Sequence, residues 1–272
     1  MTVQELLANP AVQGGAAPFV AGLIAAVVLG RFRLGGLAVV AAFATAVYFI
    51  AGFTFSPLSA TRKIILLGLA APLAGIFFDF AFRPTRLGAY LLTIAGAAAA
   101  AWVFWPVISQ KGLERSLLQG ATAVLATAWV VLVSERRLAG DSVRAGAAGL
   151  ALGAGTGVAA IFAASLTYGL YGFAIAAGSG AFLLVQVITG RRIDAGATFT
   201  LSATGIAILI AAAAMVLAQL PWYSVVVLAL VPVAANLRVP MGTPLRLQAV
   251  LSSLYGLVVA AIACALAWHA GG

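Results

Sequence analysis

The stretch Ser134–Arg144, with the sequence SERRLAGDSVR, is the most strongly charged part of an otherwise apolar chain. On each side of it lie about five apolar segments, each near the ~20 residues that an α-helix needs to cross a bilayer. We therefore predict that residues 135–144 form the central cytoplasmic loop of an integral membrane protein. This loop would join one half of the chain, 11–134, to the other, 145–269.

The composition argues against a soluble domain. Of the 272 residues, 64% are hydrophobic and 8% are charged, whereas soluble domains carry about 25% charged residues. The apolar runs are continuous rather than alternating, which favours helices over an outer-membrane barrel. We predict a single all-α domain over residues 1–272, a polytopic transmembrane helix bundle of about ten spans.

The formal net charge of +9 does not indicate nucleic-acid binding. The basic residues stand singly or in pairs between apolar runs, as expected of residues that set topology and contact lipid headgroups. With both termini outside, most arginines fall in inner loops, in agreement with the positive-inside rule. We predict a bacterial inner-membrane protein with periplasmic termini, in contact with the lipid bilayer and without a nucleic-acid partner.

Two hydroxyl-rich segments occupy equivalent positions if the halves are inverted five-helix repeats, a plan used by many secondary transporters. They are FTFSPLSAT at 53–61 and TFTLSAT at 198–204, each near the third helix of its half. Ordinary capping of helix ends, or bonding to the preceding helical turn, explains the same hydroxyls, so both interpretations stay open. As candidate substrate-binding residues the segments supply Thr54, Ser56, Ser59, Thr198, Thr200, Ser202 and Thr204.

Gly153 and Gly157 lie four residues apart and therefore on one face of the sixth predicted helix. Such a face allows a neighbouring helix to approach closely. The alternative is a broken transporter helix whose free backbone groups bind a ligand. We include both glycines among the candidate pathway residues.

Asp79 is an acid inside a predicted span, where an ionisable group is costly and is a functional candidate by default. We therefore take Asp79 as the candidate for coupling transport to a proton or cation. An ion pair with Arg83, one helical turn later, explains the acid adequately.

The residues needed for catalysis or metal binding are scarce. The chain has one histidine, His269, and one cysteine, Cys264. No motif of a hydrolase, metalloprotease or nucleotide-binding loop is present. We expect no catalytic residue, no metal site, no cofactor and no enzymatic activity.

These observations favour a small transporter, facilitator or lipid translocator for a neutral or anionic substrate. The alternative is a non-catalytic subunit that anchors a larger membrane complex through its Ala/Gly-rich helix faces. A polar cavity between the halves would favour transport. A solid bundle with an apolar patch of small residues facing lipid would favour the anchoring subunit.

Overall fold

The structure, a computed structural model, describes residues 5, 9–32, 34–81, 86–240 and 242–271. These residues contain no strand and form ten helices of more than ten residues each. Eight are long: α1 Val12–Phe32, α3 Ala60–Ala81, α4 Arg86–Ile108, α5 Leu113–Leu138, α6 Ser142–Phe162, α7 Leu166–Thr189, α8 Gly196–Leu217 and α10 Leu245–Gly271. Two are shorter: α2 Leu37–Ile50 and α9 Trp222–Ala235.

The all-helical fold class is confirmed, and the eight long helices are apolar enough to cross a membrane. The other two predicted spans are short. Helix α2 has 14 residues, and α9 is interrupted between Trp222–Leu228 and Val231–Ala235. The short helices are second in one half and fourth in the other, which are not equivalent positions. The inverted repeat stays a prediction.

Three consecutive helices form the centre of the bundle. In an 18-residue apolar stretch of α8, 89% of the residues are buried, and the corresponding shares for α6 and α7 are 72% and 61%. In the other long helices only 28–33% of such residues are buried. Most residues of these outer helices are therefore at least partly exposed.

Helices α6 and α7 pack with their backbones in contact, because glycines face each other along both. A Cβ atom on Gly172 would lie 2.5 Å from the backbone nitrogen of Gly157. A Cβ atom on Gly153 would lie 2.6 Å from the backbone nitrogen of Ala176. Gly153 and Gly157 thus serve helix packing in this structure.

Polar links gather at two ends of the bundle. At one end, here called the Asp141 end, Arg192 forms an ion pair with Asp141 at 3.1 Å. At the same end, the Arg144 guanidinium donates to the side-chain oxygen of Asn236 at 3.0 Å. At the other, here called the Lys111 end, the Lys111 ammonium donates to the carbonyl of Val216 at 2.6 Å. Each long helix connects one end to the other.

The central loop is shorter than predicted. Residues 134–138 continue α5 as a π-helical turn, and α6 begins at Ser142, so only residues 139–141 link the two. Glu, Arg and Leu are good helix formers, and the first strong helix breaker is Gly140. Asp141 then caps α6 by accepting from the backbone N–H of Arg144 at 3.3 Å. The predicted boundaries of 135–144 were therefore wrong.

Candidate functional site on the buried helix α8

Helix α8 changes its geometry along its length. It begins as an α-helix at Gly196–Thr200, continues as a π-helix at Leu201–Gly205 and returns to an α-helix at Ile206–Leu217. Single π-helical turns inside α-helices occur frequently at functional sites. The predicted hydroxyl residues in the first two sections are all buried: Thr198, Thr200, Ser202 and Thr204.

Asp79 caps the start of α8 from a different helix, α3. Its carboxylate accepts from the backbone N–H of Ala197 at 2.7 Å. It also accepts from the backbone N–H and the hydroxyl of Thr198, at 2.9 and 2.6 Å. The first turn of a helix leaves its N–H groups without partners, and the residue before α8 is Ala195, which has no capping side chain. Asp79 supplies both the acceptor and a negative charge at the positive end of the helix.

The start of α8 is wedged between α3 and the start of α2. A Cβ atom on Gly75 would lie 2.4 Å from the Cα atom of Thr198, and one on Gly36 would lie 2.5 Å from the nitrogen of Phe199. Gly196 has a φ of +62°, and a Cβ atom there would lie 2.4 Å from the Asp79 carboxylate. Only glycine allows this close approach at all three positions.

A second acid, Glu135, binds the same helix from α5. Its carboxylate accepts from the hydroxyl of Thr200. One turn further along α8, the hydroxyls of Thr204 and Ser134 are 2.8 Å apart. Thr204 also donates to the carbonyl of Thr200 at 2.8 Å. Helix α8 therefore has polar contacts to α3 through one carboxylate and to α5 through another.

Sequence reasoning missed Glu135, because the residue was assigned to the central loop. The signal that could have found it was the absence of a helix breaker between Val133, near which the predicted helix ended, and Gly140. The predicted ion pair of Asp79 with Arg83 lies outside the described residues. The coupling role of Asp79 stays a prediction, while its contacts make it a cap.

The other predicted hydroxyls lie elsewhere. Thr54, Ser56 and Ser59 are exposed in the link between α2 and α3 at the Lys111 end. The 20 residues from Ser59 to Asp79 run along α3 and correspond to roughly 30 Å at 1.5 Å per residue. Arg62 donates to the hydroxyl of Thr54 at 3.3 Å. The structure thus separates the candidate hydroxyls into two groups at opposite ends.

A polar cavity of ≈ 370 Å³ adjoins the Asp79 cap at the Asp141 end. Its walls carry charges of both signs from Asp79, Arg192 and Asp194, together with the Ser142 hydroxyl. Arg192 is held in place by Asp141 at 3.1 Å and by Gln248 at 2.7 Å. The cavity can therefore accept a polar group that makes hydrogen bonds.

An apolar groove of ≈ 190 Å³ lies on the other side of the cap, between α3, α4, α5 and α8. Ala70, Ala74 and Ala95 line it and are exposed, so the groove is open on its outer side. The polar residue lining it is Thr127, whose hydroxyl donates to the carbonyl of Ala123 at 2.7 Å. The groove consequently offers a hydrocarbon surface.

A small apolar cluster separates the cavity from the groove. The cluster includes Phe78 and Ala197. Each of them is next in the chain to a residue that lines the cavity, Asp79 or Gly196. They pack with Leu92, Val131 and Leu201, which line the groove. Within the residues described, no group of three or more His, Cys, Asp or Glu side chains is placed to hold a metal ion.

Comparison with protein-family models and with curated proteins finds no match for the chain.

Proposed function

We propose that the protein is a small membrane transporter that moves an amphipathic, lipid-like substrate, neutral or anionic, between the two faces of the bilayer. One observation carries the proposal. A polar cavity and a side-open apolar groove meet the same stretch of α8, the cavity at Gly196 and the groove at Leu201 and Gly205. A molecule with a polar head and an apolar chain has matching surfaces on both sides of the Asp79 cap.

The size of the groove favours a narrow chain as its occupant. One turn of an α-helix, with a diameter of about 10 Å and a pitch of 5.4 Å, fills roughly 420 Å³. The groove holds ≈ 190 Å³, so a helix could lie across its mouth but not enter it. An acyl or similar hydrocarbon chain can enter from the lipid.

The π-helical turn gives α8 a means of changing register. A π-helical turn carries one more residue than an α-helical turn. Its conversion to α-helix would rotate residues 196–200 by about 100° relative to the rest of α8. That rotation would move Thr198 away from Asp79 and Thr200 away from Glu135, and it would disturb the cluster between cavity and groove. The substrate head would then be able to pass.

The anchoring subunit of a larger membrane complex is the second candidate. The mouth of the groove is formed by small residues, including Ala70, Ala74 and Ala95, and small residues let a partner helix approach closely. The two functions differ in what the purified protein does alone: a transporter acts without a partner.

Reconstitution in liposomes with a fluorescent phospholipid tests the proposal. The fraction of label that an impermeant reductant bleaches from outside should rise above one half if lipid moves between leaflets. Ala95→Phe fills the groove, whereas Ala98→Phe, at an exposed position of the same helix that does not line the groove, leaves it open. We expect the first variant to stop the movement and the second to preserve it.

Two results would contradict the proposal. One is the absence of lipid movement with the unmodified protein; the other is an equal effect of both variants. If lipid does not move, and Ala95→Phe instead releases a co-purifying membrane protein that Ala98→Phe retains, the anchoring function is favoured.

We further propose that the Asp141 end faces the cytoplasm of a bacterial inner membrane, with both termini in the periplasm. A side chain added at Gly140 meets no atom within 4 Å, so a cysteine there is harmless to packing. In a Cys264→Ala background, Gly140→Cys should resist an impermeant thiol reagent in intact cells and react after lysis. Labelling of intact cells would reverse the orientation.

A further inference from the structure

A second and larger cavity lies at the Lys111 end, far from the Asp79 cap. Its volume is ≈ 470 Å³. The walls are formed by the link before α5, the first turns of α5 and the link between α8 and α9. Among the described residues that line it, two are basic and none is acidic; the polar and aromatic members are Lys111, Arg115, Gln119 and Trp222.

Lys111 is fixed in this cavity by neutral partners. Its ammonium donates to the side-chain oxygen of Gln119 at 2.7 Å and to the carbonyl of Val216 at 2.6 Å. An ammonium has three N–H donors, so these two contacts leave one donor for another acceptor. Burial, and next the nearby Arg115, lower the pKa of Lys111 from its ordinary value. The fold therefore holds this cation against neutral hydrogen-bond partners.

Arg115 adds a second positive charge to the lining of the cavity. It is exposed, and its guanidinium makes no hydrogen bond or ion pair within the described part of the chain. It stands in the first turn of α5, where the helix dipole favours acids rather than bases. Gly112, the residue before that turn, provides no capping side chain either. The acid of that turn, Glu114, does not line the cavity, whereas Arg115 does.

Basic pockets between membrane helices can bind the head groups of anionic lipids. Here the two cations share one concave site with an amide and an indole. We infer that this cavity binds a phosphate group between Lys111 and Arg115. The phosphate belongs either to a free anion or to the headgroup of an anionic lipid. The site stands apart from the proposed function, because it lies at the opposite end of the bundle and its test needs no transport.

Two probes distinguish the two sources of phosphate. Inorganic phosphate is titrated by calorimetry into the full-length protein in a neutral detergent. Phosphatidylglycerol, with phosphatidylcholine as the uncharged comparison, is added to the same sample and scored by native mass spectrometry. Binding of both anionic probes assigns the site to free anions as well as lipids. Binding of phosphatidylglycerol alone assigns it to a lipid headgroup.

Arg115→Gln removes one charge without removing any contact described above, so it should fold normally. We expect it to weaken phosphate binding by about tenfold or more, the value of a hydrogen bond to a charged group. Arg137→Gln, an equal charge change at an exposed position of the Asp141 end, should leave binding unchanged. The inference fails if neither anionic probe binds saturably, or if the two variants weaken binding equally.

Discussion

Replacement of Asp79 by Asn tests whether this residue acts as a structural cap or as a coupling acid. The carboxylate receives three hydrogen bonds, one on one oxygen and two on the other. An amide has a single oxygen, so in either orientation its NH₂ group faces a backbone N–H, of Ala197 or of Thr198. One buried donor then lacks an acceptor, which costs about 1–3 kcal/mol. We expect the free energy of unfolding to fall by about 2 kcal/mol in Asp79→Asn, and further in Asp79→Ala, which loses all three bonds.

The assay is reversible unfolding by titration with a denaturing detergent, followed by circular dichroism. Thr198→Val serves as the partner in a double-mutant cycle, because it removes the hydroxyl bond and keeps the backbone N–H. The effects of Asp79→Asn and Thr198→Val should not be additive, since both act on one contact. Unchanged stability of Asp79→Asn would refute the cap. If stability were unchanged and the pH dependence of transport were lost, Asp79 would instead be the coupling acid.

Two further predictions follow from the packing and from the Lys111 cavity. Gly172→Ala should destabilise the protein in the same assay by more than 1 kcal/mol, a typical cost of overpacking, because its Cβ meets backbone at 2.5 Å. Gly180→Ala, on the same helix with its nearest neighbour 3.6 Å away, should be neutral, and equal effects would contradict the packing argument. Because the pKa of Lys111 is lowered from 10.5, its charge is lost as pH rises, at a lower pH than for an ordinary lysine. Phosphate affinity measured from about pH 7 to 10 should therefore decline in the wild type but persist in Lys111→Arg, which stays charged, and parallel declines would contradict this.

The fold class was predictable, because continuous apolar runs of about 20 residues are typical of helices in a membrane protein. The lengths of the helices were less so. Helix propensity extends α5 through Glu135 and Arg136 as far as Leu138, whereas charge alone suggested a loop there. The break in α9 at Ala229 and Leu230 was not predicted either, because the sequence from Trp222 contains no helix breaker before Pro232.

The candidate site was predictable in part. Thr198 and Thr200 stood out as hydroxyls in an apolar segment, and in the structure each hydroxyl donates to one carboxylate. Their partners Asp79 and Glu135 lie 119 and 65 residues away in the chain. No local pattern encodes such contacts, since they depend on how α3 and α5 pack on α8. Helices α8 and α10 are equally hydrophobic, yet α8 is the most enclosed of the long helices and α10 is among the least. A hydropathy profile therefore does not distinguish an enclosed helix from one that faces lipid.

The shortness of α2 has a consequence for the membrane itself. Its 14 residues span about 21 Å, against a hydrocarbon core of about 30 Å, while the 27 residues of α10 span about 40 Å. The link after α2 exposes Phe53, Phe55 and Leu58 together with non-helical backbone. Such backbone is not tolerated in lipid without water or protein around it. In a bilayer we therefore expect thinning beside α2 and a tilt of α10, a hydrophobic mismatch that differs from one side of the molecule to the other. A polar headgroup next to α2 has less hydrocarbon to cross than one in the undisturbed membrane.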